Sequence, residues 1–187
     1  MNDILQGLNI YLVGMMGAGK TTVGQHLAHR LGYRFLDTDA IIEQATGTTI
    51  NEIFAQDGEP TFRDIEHQVL AQVAAYQHSV VSTGGGIVTQ QKNWSYLKYG
   101  LVVWLDVPPK TLFDRLQDDS SRPLLKEADP LAKLQRLLDE RRSKYEQADL
   151  HLSIGGNESS DRIVDRLLTA IPTILKPPTE PPNGSHS

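Results

Sequence analysis

The sequence predicts a three-layer α/β/α domain, a parallel sheet covered by helices on both faces. Short apolar runs rich in β-branched residues alternate along the chain with segments of helical periodicity. That alternation implies parallel pairing through right-handed crossovers. The first apolar run also opens into a glycine-rich turn and then a helix, the connection such sheets use at a ligand crevice.

The elements follow in order. Asn9-Ile10-Tyr11-Leu12-Val13 is a buried strand ending at Gly14. A helix from about Lys20 to Leu31 carries Val23, Leu27 and Leu31 at four-residue spacing and stops at Gly32. Arg34-Phe35-Leu36 is a second strand, delivering Asp37-Thr38-Asp39, and Val80-Val81-Ser82 is a third, running into Thr83-Gly84-Gly85-Gly86. Leu101 to Leu105 is the fourth and most hydrophobic, and His151 to Ile154 is a weaker fifth closed by Gly155-Gly156. Helical patterns span Glu59 to Tyr76, Asp129 to Gln147 and Ser160 to Leu175. The second places Leu131, Leu134, Leu137 and Leu138 on one face; the third puts Asp161 near its positive N-terminus.

Composition narrows the function. The chain has 187 residues, 18 Lys plus Arg against 23 Asp plus Glu, and no cysteine, which excludes a disulfide scaffold, a thiolate metal site and a cysteine nucleophile. A net charge of −5 argues against nucleic acid as a partner, but a few arginines in one cleft can still attract a small anion. Met1 to Gly7 lacks the basic start of a signal peptide, and no apolar run approaches the ~20 residues that span a bilayer, so the expectation is a cytoplasmic protein without membrane contact. Residues 1–175 read as one domain, and the proline-rich stretch 176–187 as a disordered tail.

Gly14-Met15-Met16-Gly17-Ala18-Gly19-Lys20-Thr21 fits G-x-x-x-x-G-K-[ST], and Thr22 follows. Glycines let consecutive N–H groups converge on one anion, and the helix N-terminus adds positive potential. Lys20 then reaches the β- and γ-phosphates of a nucleotide, and the Thr21 hydroxyl ligates Mg²⁺. A bare strand-to-helix turn would explain Gly14 and Gly19 but not a cation at the helix start, where it opposes the dipole.

Two further clusters stand at strand ends. Asp37 and Asp39 on an extended backbone would point the same way, one orienting the Mg²⁺ shell and the other accepting a hydrogen bond from a substrate hydroxyl; the alternative is an Asp-Thr-Asp helix cap. The Gly84-Gly85-Gly86 run suits close approach of a ligand to backbone N–H groups, or else a hinge. Arg63, Arg115, Arg122 and Arg141 each adjoin a possible ligand-facing break, although a lone arginine is more often a solvated surface charge. Arg122 lies in a polar, proline-containing segment, Asp118 to Pro130, of the kind that forms lids. The six histidines show no metal-ligand spacing.

Assembled, these residues make the chain similar to the shikimate kinases. The resemblance spans roughly Leu8 to Leu168. It rests on the phosphate loop (14–22), Asp-Thr-Asp (37–39), Ile-Phe-x-x-x-Gly-Glu (53–59), Phe-Arg-x-x-Glu (62–66), Gly-Gly-Gly (84–86), Arg-Pro-Leu-Leu (122–125) and Glu-Arg-x-x-x-Tyr (140–145), in the family's order. It implies a nucleoside-monophosphate-kinase-like fold with a five-stranded parallel sheet of order 2-3-1-4-5; a monomer is the expectation, which no residue decides. It implies MgATP-dependent phosphorylation of the shikimate 3-hydroxyl. By motif, Lys20, Asp39 and Arg122 are the catalytic residues, and Asp39 contacts the shikimate hydroxyls. Arg63 and Arg141 hold the carboxylate with the Gly84-Gly85-Gly86 backbone. Arg122 closes with a lid at about 117–129, Arg115 packs against adenine, Thr21 ligates Mg²⁺, and Asp37 supports the ion through water. The substrate-binding segment is about 38–66. Because the family often has a proline before the tyrosine and this chain reads Arg141-Arg142-Ser143-Lys144-Tyr145, either arginine fits the substrate-facing position. Two other readings stay open: another small-metabolite kinase of this fold, such as a gluconate kinase, and a kinase-derived binding protein without turnover.

Overall fold

The structure, a computed structural model, describes residues 5–117 and 128–175. Five parallel strands, β1 (Ile10–Val13), β2 (Arg34–Asp37), β3 (Ser79–Ser82), β4 (Leu101–Asp106) and β5 (Leu150–Ser153), form one sheet in the order β2-β3-β1-β4-β5. β1, β3 and β4 are buried on both faces, which is why they read as unbroken apolar runs. β2 and β5 are edge strands and more exposed, so their sequences are mixed.

Among the described residues eight helices surround the sheet: α1 (Lys20–Leu31), α2 (Thr38–Thr46), α3 (Ile50–Gln56), α4 (Gly58–Ala74), α5 (Trp94–Leu97), α6 (Pro109–Leu116), α7 (Pro130–Tyr145) and α8 (Ser160–Ile174). α1 lies on β1, β2 and β3 and packs against α8, while α6 packs on α7 and α2 on α4. The caps explain the boundaries. The Thr49 hydroxyl and the Glu52 carboxylate form a reciprocal capping box on α3, the Asp129 carboxylate accepts from the Ala132 N–H at the start of α7, and Ser159 caps α8.

Several expectations change. Thr38 begins a helix, so the chain after β2 is not extended through Asp39. The Asp37 carboxylate accepts from the N–H groups of Asp39 and Ala40 and is itself the cap, which turns the backbone before a second extended residue can form. The first strand starts at Ile10, one residue later than expected. The leucine stripe of α7 is narrower than expected: Leu134 and Leu138 are buried and Leu137 is half-buried, but Leu131, in the first turn, is exposed. Most of the anticipated lid and the tail, residues 118–127 and 176–187, lie outside the described residues. Among the described residues no helix is long and apolar enough to cross a membrane.

Buried Asn9 donates from Nδ2 to the Tyr76 carbonyl (2.7 Å) and accepts from the Ser79 N–H (3.0 Å), fixing the chain where it leaves α4 and enters β3. Asn9→Ala strands both backbone groups and should lower unfolding free energy by about 1–3 kcal/mol. A urea titration measures this, and an unchanged midpoint would show that the bridge carries no stability.

Candidate functional site

The carboxyl ends of β1, β2 and β3 open on a cleft of about 230 Å³, lined by Met16, Gly17, Gly19, Lys20, Thr21, Thr22, Asp37, Asp39, Ser82, Thr83 and Gly85. This edge is where a parallel α/β sheet offers a crevice, because the turns to the following helices diverge there.

The phosphate loop joins β1 to α1. Gly19 caps α1 at φ 90°, a left-handed conformation that a side chain disfavours, and so aims the first N–H groups of the helix into the cleft. Lys20 is buried, and its ammonium donates to the carbonyls of Gly14 (2.8 Å) and Met15 (2.9 Å). Those bonds hold the cation over the loop without a ligand. Arg115, exposed on α6, donates to the carbonyls of Gly17 and Ala18 (both 3.3 Å), so it touches the outside of the same loop.

Next to the loop, the Thr21 hydroxyl donates to Asp37 Oδ2 (2.8 Å) and lies 3.3 Å from the Ser82 hydroxyl. A hydroxyl and a carboxylate at the mouth of an anion cradle are hard oxygen donors suited to Mg²⁺, which keeps several waters and shares phosphate oxygens. Among the described residues no group of three or more His, Cys, Asp or Glu is placed to hold a metal ion. Ser82 was not anticipated from sequence; its only signal is its position as the last residue of β3.

A buried ionic cluster borders the cleft at Asp39 and the glycine turn. α4 presents Arg63 and Glu66 one turn apart. Glu66 is fully buried and accepts from Arg63 (2.8 Å), while the other edge of the guanidinium donates to Glu59 from Nε (3.1 Å) and Nη2 (3.0 Å). Burial pulls the Arg63 pKa down, and the two carboxylates more than reverse it, leaving it raised. Burial raises Glu66; Arg63 offsets this in part, and Asp39 adds to the rise. Glu66 Oε1 is buried without a hydrogen-bond partner among the described residues.

The triple glycine packs directly on these groups. A methyl at Gly84 would stand 2.7 Å from Glu66 Oε1 and 2.9 Å from Asp39 Oδ1, and one at Gly86 would overlap the Arg63 guanidinium. The run is therefore a close-packed turn in which Gly84 and Gly86 must lack side chains, while a methyl on Gly85 would find tight but ordinary contacts at 3.3–3.6 Å. Its first N–H donates to the Thr38 hydroxyl (3.1 Å), so Gly84 contributes space and not a donor. Arg141 reaches the turn from α7, with Nη1 3.6 Å from where a methyl on Gly85 would lie. Arg142 instead lies over the Trp104 ring (5.8 Å to the centroid), so Arg141 is the one that faces the cleft. Arg122 falls outside the described residues. The cleft thus brings together the phosphate loop, Thr21, Asp37, Asp39, Arg63, Arg141 and the glycine turn, and Glu59, Glu66, Thr38 and Ser82 hold them in place.

Comparison with known proteins agrees with this geometry. The family model of shikimate kinases matches residues 16–172. The shikimate kinase of Nostoc sp. is 54% identical over 176 residues, which are 94% of this chain and 97% of that protein. Among solved structures, a shikimate kinase from Acinetobacter baumannii in complex with shikimate superposes with a TM-score of 0.83 at 42% identity, covering 91% of this chain and 96% of that one. A gluconokinase from Sinorhizobium meliloti, at 18% identity, TM-score 0.55 and coverage of 90% and 94%, shares the fold alone.

Proposed function

The chain belongs to the shikimate kinase family and is an ATP-dependent kinase of shikimate; from that premise we propose how this cleft transfers the γ-phosphoryl group to the 3-hydroxyl, giving shikimate 3-phosphate and ADP. The observation that carries the proposal is the juxtaposition of a phosphate loop with a buried arginine pocket inside one cleft.

ATP phosphates lie on the N–H groups of Gly17, Ala18, Gly19, Lys20, Thr21 and Thr22, with Gly14 shaping the turn and Arg115 packing on the adenine. Thr21 and Asp37 would hold Mg²⁺, which would neutralise charge on the phosphate oxygens. Shikimate enters beside Asp39. Its carboxylate meets Arg63 and Arg141, whose planar forks match a carboxylate in a way lysine does not. Gly85 and Gly86 line the carboxylate end of the pocket, and Gly84 leaves room for Asp39 and Glu66. The Asp39 carboxylate accepts a hydrogen bond from the acceptor hydroxyl and aims its oxygen at the γ-phosphorus. A loose transition state needs little nucleophile activation, so orientation is the larger part of that role. Lys20 stabilises charge on the transferring group, a role the family resemblance also gives Arg122.

Three measurements test this. An ADP-release assay with Mg²⁺ should give turnover with shikimate and only background with gluconate or no acceptor; equal rates with gluconate would assign a different substrate. Asp39→Asn should lower kcat by about two orders of magnitude or more while the KM for ATP stays within twofold; near-wild-type kcat would remove Asp39 from the reacting hydroxyl. Asp37→Asn keeps a side chain that can cap α2 but loses the charge, so the Mg²⁺ concentration giving half-maximal rate should rise severalfold at unchanged melting temperature. Unchanged Mg²⁺ dependence would place the ion elsewhere.

A further inference from the structure

Tyr145 closes α7 with no exposed surface, and its hydroxyl donates to the Gly85 carbonyl at 2.6 Å, across sixty positions of sequence. Its ring stacks on Trp104 (5.5 Å between centroids, 19° between planes), and Trp104 stacks in turn on His151 (4.1 Å, 16°). The phenol is therefore held from behind by an aromatic column resting on β4 and β5. Arg141 is one turn earlier on α7 and reaches the same glycine. Burial raises the Tyr145 pKa, and the neighbouring Arg141 guanidinium lowers it only in part, so the hydroxyl keeps its proton and remains a donor.

The consequence lies in the peptide that Gly85 shares with Gly86. In a planar trans peptide the carbonyl and the following N–H point in opposite directions. A bond that holds the Gly85 carbonyl toward Tyr145 therefore turns the Gly86 N–H the other way, away from α7. With glycine on both sides no side chain restrains the dihedrals of this peptide, so its direction depends on what its carbonyl and N–H bond to. The rotated peptide would exchange the directions of the two groups, bringing the carbonyl oxygen, an acceptor that repels anions, to the side now held by the N–H.

We propose that Tyr145 is a positioning residue that locks the Gly85–Gly86 peptide with its N–H toward the substrate carboxylate, so that the glycine turn accepts an anion. The proposal rests on the reading of the cleft as the shikimate site. The bond also draws electron density toward the hydroxyl and makes the N–H a better donor. Because α7 carries both Tyr145 and Arg141, one helix sets the peptide and the guanidinium in a fixed relation.

Tyr145→Phe tests this, since it retains the ring in the Trp104 stack and removes only the hydroxyl. Steady-state kinetics on the full chain should show the KM for shikimate raised about tenfold and the KM for ATP within twofold. The melting temperature should stay within a few degrees of wild type. Titration calorimetry with shikimate alone should show a similar loss of affinity. A shikimate KM within twofold of wild type would overturn the proposal. So would a rise in both KM values together with a fall in melting temperature, which would make the hydroxyl a general structural bond. The functional reading fails separately, if the wild-type enzyme does not turn over shikimate.

Discussion

The cleft depends on one buried ion pair. Arg63 and Glu66 leave water together on α4, at 2.8 Å, and a pair of this kind is tolerated only when its hydrogen bonds are well made, since removing either partner from a buried pair typically costs about 3–5 kcal/mol. The other edge of Arg63 is taken by Glu59, which is largely exposed and can move. The guanidinium is thus fixed from within by Glu66 and held more loosely from without. A substrate carboxylate can replace the loose partner without disturbing the fixed one. Gly84 and Gly86 must then lack side chains, because they pass within van der Waals reach of both members of the pair.

The phosphate loop has a parallel design. Its cation is satisfied before any ligand arrives, with Lys20 bonded to two loop carbonyls, so binding exchanges partners instead of desolvating a bare ammonium. Both ends of the cleft hold cationic groups whose partners can be exchanged. An acidic protein, with a net charge of −5, in this way concentrates positive charge where two anionic substrates meet. Two such substrates repel one another, and preorganised cations offset that repulsion before the phosphoryl group moves.

Much of this was legible in the sequence because its causes are local. β1, β3 and β4 stand out as apolar runs since both of their faces are covered, and Gly14 to Thr22 is contiguous. What was not legible depends on distant neighbours. Asp-Thr-Asp reads either as an extended pair or as a helix cap, and the choice between them, which falls to the cap, is made by the fold around β2. Phe-Arg-x-x-Glu gives the helical spacing of Arg63 and Glu66 but not the burial that makes them a unit. Tyr145 and Gly85 are sixty positions apart, and only the fold brings them together. The choice between Arg141 and Arg142 turns on where Trp104 lies, which is likewise a tertiary fact.

The central claim is that Arg63 recognises the carboxylate of the substrate. A double-substitution cycle measures it directly: kcat/KM for shikimate and for its carboxamide, on wild-type enzyme and on Arg63→Ala. If the guanidinium and the carboxylate meet, each change alone should lower kcat/KM substantially, and the second should add little once the first is made. Losses that multiply independently would contradict the account and require another group to hold the carboxylate.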